Sequence, residues 1–261
     1  MWVSVRSDPS NDSLAVEPGR RRDYPSSMLD SLELSSFYEE PMGQVTRRQI
    51  WRRVRLAWPD LRGLRVLGYG FAPPYLKTCL PEAERSIAFV PGQFGPVAWP
   101  ADRRLVAVGE ENALPFPDAF FDRVIMVHGL EASEATRLLM RQIWRVMPES
   151  GRLIVVAPNR TSLWAQVERS PFAHGRPFNR RQLEALLRDS MFLPERWDTA
   201  LYFPPLRSRR LVRTGTRWEQ IGRRLWPRLA GVHIVDSSKS MYAVALAGKA
   251  VPAKRVLAPA R

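Results

Sequence analysis

The sequence predicts an α/β fold built on a doubly wound, mostly parallel sheet. Three observations carry that expectation. Short apolar runs alternate with amphipathic segments over most of the chain. Those runs are apolar throughout rather than at every second residue, so helices are expected on both faces of the sheet. With 261 residues and 45% apolar side chains, the chain suffices for one sizeable core with appendages.

The elements follow in order. Residues 1–29 are rich in Ser, Pro, Asp and Arg without periodicity, and read as a disordered tail. "GQVTRRQIWRRVRLAW" predicts a helix. Ile50, Val54 and Trp58 share its apolar face, and Arg48, Arg52 and Arg55 lie off it. "LRVLGY" is the first strand. "PPYLKTCL" is a short helix that Pro74 can start, because proline is tolerated in the first turn. "RSIAFV", "RLVAVG" and "DRVIMVH" are the second to fourth strands. "SEATRLLMRQIWRVM" is a helix expected to bury Leu138, Leu139, Ile143 and Val146. "GRLIVVAP" is the fifth strand. "NRRQLEALLRDSMF" is a helix with Asn179 as candidate N-cap. "MYAVALAGK" reads as a late strand. The basic, aromatic stretch 201–239 before it reads as a lid or a partner-facing C-terminal insertion. Residues 249–261 form a second loose tail, which leaves one domain over 30–248.

Composition narrows the function classes. The formal net charge is +14, which points to an anionic partner such as nucleic acid or an acidic membrane surface, or to an arginine-rich proteome. The one cysteine, Cys79, cannot form an internal disulfide and reads as a small buried apolar residue. The N-terminus has no apolar signal-peptide core, and no apolar run is long enough to span a bilayer, so a cytoplasmic location is expected. Three scattered histidines and one cysteine offer no metal-ligand spacing.

The most specific stretch is "VGEENALPFPDAFFDRVIMVHGLEASEATRLLMRQIWRVMPESGRLIVVAPN". It resembles the class I S-adenosylmethionine-dependent methyltransferases of the common small-molecule type. Glu110, Leu114, Pro115, Phe116, Asp118, Phe121, Asp122, His128, Glu131, Arg145, Val146, Pro148, Gly151 and Leu153 fall at the positions of that family's pattern. The resemblance spans roughly residues 60 to 190. It implies a Rossmann-like, seven-stranded sheet with S-adenosylmethionine across the carboxyl ends of the first strands. The cofactor half is then 60–160 and the substrate or lid half 161–248.

What the resemblance implies about cofactor contacts can be checked residue by residue. In the family an acid in the first glycine loop positions the amino acid end, and Gly68 stands there. The acid that takes the ribose hydroxyls has no counterpart in "AFVPGQ", where Gln93 is a neutral substitute. Glu110 fills the place that meets the adenine amine, beside the Glu111 backbone. The loop's three glycine positions hold Gly70, Ala72 and Pro74, and Pro73 and Pro74 lack N–H donors. Each missing charge-assisted bond forfeits about 1.5–3 kcal/mol. Gly68, Tyr69, Gly70, Glu110, Glu111 and His128 are therefore the candidate cofactor contacts, with Tyr38 as a further cover.

His128 is the candidate base, since a neutral imidazole accepts a proton near neutral pH; it can equally serve as a hydrogen-bond partner. Glu131 can orient it or cap the next helix, and capping is the expected role. His174 in "SPFAHGRPF" can face a substrate, and His233 reads as structural. "VHGLE" lacks the Pro-Pro-aromatic run of base-nitrogen methyltransferases. Three readings stay open. They are methyl transfer to a small or lipid-like acceptor, a methyltransferase-fold binding protein without catalysis, and an RNA or protein methyltransferase recruited by basic charge.

Overall fold

The computed structural model describes residues 30–95, 97–100, 102, 105–205 and 218–240. Both predicted tails, part of the basic stretch and the predicted strand "MYAVALAGK" lie outside these residues.

Seven strands form one sheet: β1 (Arg65–Gly70), β2 (Arg85–Pro91), β3 (Val106–Gly109), β4 (Arg123–Val127), β5 (Arg152–Pro158), β6 (Phe192–Ala200) and β7 (Val232–Lys239). Their order is β3-β2-β1-β4-β5-β7-β6. Only β7 runs against its neighbours. The chain reverses its strand order beside β1, so a crevice opens over the carboxyl ends of β1 and β4.

Helices cover both faces. α1 (Ser31–Glu39), α2 (Pro41–Ala57) and α3 (Pro73–Leu76) pack on one face through Leu34, Ile50, Val54 and Leu76. α4 (Thr136–Val146) and α5 (Arg180–Asp189) pack on the other through Leu139, Ile143, Leu183 and Leu187. Asn179 is the N-cap of α5 and forms a full capping box with Gln182. In α4 the apolar stripe is Leu139, Met140, Ile143 and Val146, while the expected core residue Leu138 is half-exposed. The stripe follows the 3.6-residue period, which turns Leu138 past the edge of the buried face.

The C-terminal strands correct the sequence reading. Stretch 201–239 contains β7, which lies between β5 and β6, rather than only a lid. Within β7, Asp236 is buried beside Trp58 and accepts from Arg152 Nε at 3.1 Å and Nη2 at 2.6 Å. That paired charge ties β7 to β5. Among the described residues, no helix is long and apolar enough to cross a membrane.

Candidate active site

The first loop is shaped by packing. A Cβ placed on Gly68 would lie 2.6 Å from both Ala72 Cβ and Leu76 Cδ1, so its side-chain direction is filled by the α3 segment. Gly70 has φ +81°, and a Cβ there would sit 2.3 Å from the Val127 carbonyl oxygen. Only glycine permits that crossing of the ends of β1 and β4. Phe71 N–H closes the crossing by donating to Val127 O at 2.9 Å. Tyr75 and Leu76 donate their N–H groups to Ala72 O. Pro73 and Pro74 have none to give.

Above this loop lies a buried cluster of rings. Tyr38 comes from α1, Phe71 and Tyr75 from the loop and α3, His128 from the end of β4, and Phe172 from the later "SPFAHG" segment. Tyr38 stacks on Phe71 with ring centroids 6.0 Å apart, and the His128 and Phe172 rings lie 4.6 Å apart. The Tyr38 hydroxyl is 2.8 Å from His128 Nε2 and 3.0 Å from the Tyr75 hydroxyl. His128 has φ +54°, a left-handed conformation that turns its ring into the cluster. Its Nδ1 lies 3.4 Å from Glu131 Oε1. One proton arrangement suits these approaches, although both Glu131 carboxylate oxygens stay without a hydrogen bond among the described residues. Nδ1–H faces the Glu131 carboxylate, Nε2 accepts from Tyr38, and Tyr38 oxygen accepts from Tyr75. Burial raises both phenol pKa values well above the ordinary range, so both hydroxyls keep their protons. The cavity left beside Leu34, Phe94, His128 and Glu131 measures about 20 Å³, room for one water.

The rest of the predicted constellation is spread out. Glu110 follows β3 and is exposed. Glu111 turns inward, where its Oε1 accepts from Ala135 N at 2.7 Å, at the start of α4. Glu111 thus supplies the contact expected of Glu131, and Glu131 instead faces His128. Tyr69 points away from the crevice into the α4 side of the core, stacked on Phe89 at 5.7 Å. Alternation along β1 places it there, next to crevice-side Gly68 and Gly70. Gln93 donates to Ala132 O at 3.0 Å and ties the β2 loop to the β4 loop. His174 donates from Nε2 to Glu168 O at 2.9 Å. It lines an open cleft of about 750 Å³ together with Glu131, Ser133, Gln166 and Arg176. His233 is held largely uncharged, its pKa pushed down to about 4 chiefly by burial.

The "LPFPD" segment is a clamp. Arg145 on α4 donates to Leu114 O, Phe116 O and the Asp118 carboxylate, the last at 2.6 Å. Phe120 and Phe121 donate to Val146 O. Asp122 accepts from Arg65 N at 2.8 Å and, through its carbonyl, from Arg152 N at 3.1 Å. This motif fixes β1, β4, α4 and β5 to one another.

The family described as "Methyltransferase domain" matches residues 58–155, the segment that contains both the loop and the clamp. Residues 58–155 thus match a methyltransferase domain, set on a sheet of the methyltransferase fold. No curated protein sequence matches the chain. Solved methyltransferases share the fold at low identity. One from Thermotoga maritima is 15% identical, with a TM-score of 0.56, over 80% of this chain and 95% of that one. One from Archaeoglobus fulgidus is 20% identical, with a TM-score of 0.51, over 74% and 94%. The 1,6-didemethyltoxoflavin N1-methyltransferase of Burkholderia thailandensis, solved with S-adenosylhomocysteine, is 14% identical, with a TM-score of 0.51, over 79% and 85%.

As arranged here, the methyltransferase domain does not fit its cofactor at the amino acid end. The volume above β1 and β4 is occupied by Tyr38, Phe71, Tyr75 and His128, and the 20 Å³ left is far below the ~300 Å³ or more of a small-molecule site. An acid at position 68 has no room. Glu110, the carboxylate expected to meet the adenine, is exposed.

Proposed function

We propose that the chain methylates a small or lipid-like acceptor, and that α1 must leave the crevice before S-adenosylmethionine can enter. The observation that carries this reading is the Tyr38–His128 hydrogen bond of 2.8 Å. It ties α1 to the residue best placed to act as a base. Withdrawal of Tyr38 frees Nε2, with the Glu131 carboxylate still beside Nδ1, so the imidazole can serve as the base. The 750 Å³ cleft that reaches Glu131 and His174 is of a size for a small acceptor.

A second reading is supported by Gly68 and the Pro73–Pro74 pair: a methyltransferase-fold binding protein that no longer turns over. Calorimetric titration of the full chain with S-adenosylmethionine and S-adenosylhomocysteine separates the two. The first reading predicts weak, saturable binding that Glu110→Ala weakens further. Absence of binding at millimolar ligand, in both the native chain and Tyr38→Ala, would leave only the second.

A further inference from the structure

A second concavity lies at the β6 edge of the sheet, with Trp197 and His233 on the face away from the ring cluster. Strand register places it there. His233 pairs with Ala157 and with Thr199, and Ala157 belongs to the core under α4 and α5. This cleft measures about 820 Å³. Trp197, Tyr202 and Leu229 form apolar walls, and Arg180, Arg223 and Arg228 stand around them. Among the described residues, none of these three guanidinium groups is within ion-pair distance of a carboxylate. The one acid in the lining, Asp198, faces Arg53 at 3.8 Å and accepts from its neighbour Thr199 N.

The arginine-bearing segments are fixed from beneath. Glu219 is buried and accepts from Leu201 N and Tyr202 N, each at 3.0 Å. That pins the helical residues 218–225, which carry Arg223, against the end of β6. Gly222 permits the contact, since a Cβ there would lie 2.4 Å from Tyr202 Cβ. Asn159 Nδ2 donates to Arg228 O and Ala230 O at 3.1 and 2.8 Å. Arg180 lies over the Trp197 ring, 4.6 Å from its centroid, which holds its guanidinium at the wall. His233 Nε2 is buried in the lining without a hydrogen-bond partner among the described residues, and an imidazole kept uncharged can donate or accept there.

We propose that this cleft binds a phosphomonoester carried on a flat ring, with the ring against Trp197 and Tyr202 and the phosphate among Arg180, Arg223 and Arg228. Three guanidinium forks match a doubly charged, three-oxygen group better than a single carboxylate. The aromatic wall adds affinity that the anion alone lacks. The site shares no lining residue with the crevice, so it stands whether or not the chain methylates anything.

Calorimetric titration of the full chain with phenyl phosphate, and separately with inorganic phosphate, tests this. The expected result is saturable binding of phenyl phosphate, at least about tenfold tighter than inorganic phosphate, and weakened about tenfold or more by Arg180→Gln with Arg228→Gln. Both arginines are exposed, so the double variant is expected to fold; an unchanged circular dichroism melt checks it. Lack of saturable binding, equal affinity for the two probes, or binding untouched by the double variant would each overturn the proposal.

Discussion

Two parts of the domain, at opposite ends of β1, have met different constraints. The clamp made by "LPFPD", Asp122 and Arg145 keeps the family's residues, and its bonds join β1, β4, α4 and β5. The first glycine loop departs from the family's residues, and Ala72 and Leu76 fill the space beside Gly68 where the acid would stand. The difference teaches that the motif which identifies the fold is architectural, whereas the motif that would identify the chemistry has been taken over by packing. A family pattern in a sequence therefore reports on the scaffold before it reports on the site.

Restoring the loop acid breaks the comparison most sharply. Gly68→Asp pushes a carboxylate into Ala72 and Leu76 and buries an unpaired charge, so we expect a loss of about 3–5 kcal/mol in urea denaturation. In an open crevice the same change would be nearly neutral. Next comes the clamp. Arg145→Ala abandons two carbonyls and the Asp118 carboxylate, for an expected cost of about 2–3 kcal/mol by the same measurement, because charge-assisted bonds are worth more than neutral ones. The smallest effect is expected for Tyr38→Phe. It keeps the ring stacked on Phe71 and removes only the hydroxyl between His128 and Tyr75, for about 1–2 kcal/mol. Nuclear magnetic resonance of the His128 imidazole should then show Nε2 released from its partner.

Much of this fold was legible in the sequence, and the reasons are local. β1, β2, β4 and β5 are short runs buried on both faces, which composition alone reveals. β7 was harder to see because its second half contains Asp236 and Ser237, buried polar residues, and the partner of Asp236, Arg152, is far away in sequence. β6 mixes proline and charges with its apolar residues and reads as a loop until β7 pairs with it. The ring cluster was legible only in pieces. His128 and Glu131 fall on a recognisable pattern, but Tyr38 lies 90 residues away and nothing local marks it as their partner. Tyr69 was expected to contact the cofactor, and the two-residue period of the strand sends it to the other face.

The central claim is that α1 holds the crevice shut through Tyr38. Calorimetric titration of S-adenosylmethionine into the native chain and into Tyr38→Ala tests it most directly. If the open state is a minor population in the native chain, apparent affinity is reduced by that fraction, and removing the Tyr38 side chain restores it. We predict binding at least about tenfold tighter in Tyr38→Ala, equivalent to about 1.4 kcal/mol of closure. Equal affinity in the two proteins would contradict the account, since the crevice would then open without regard to Tyr38.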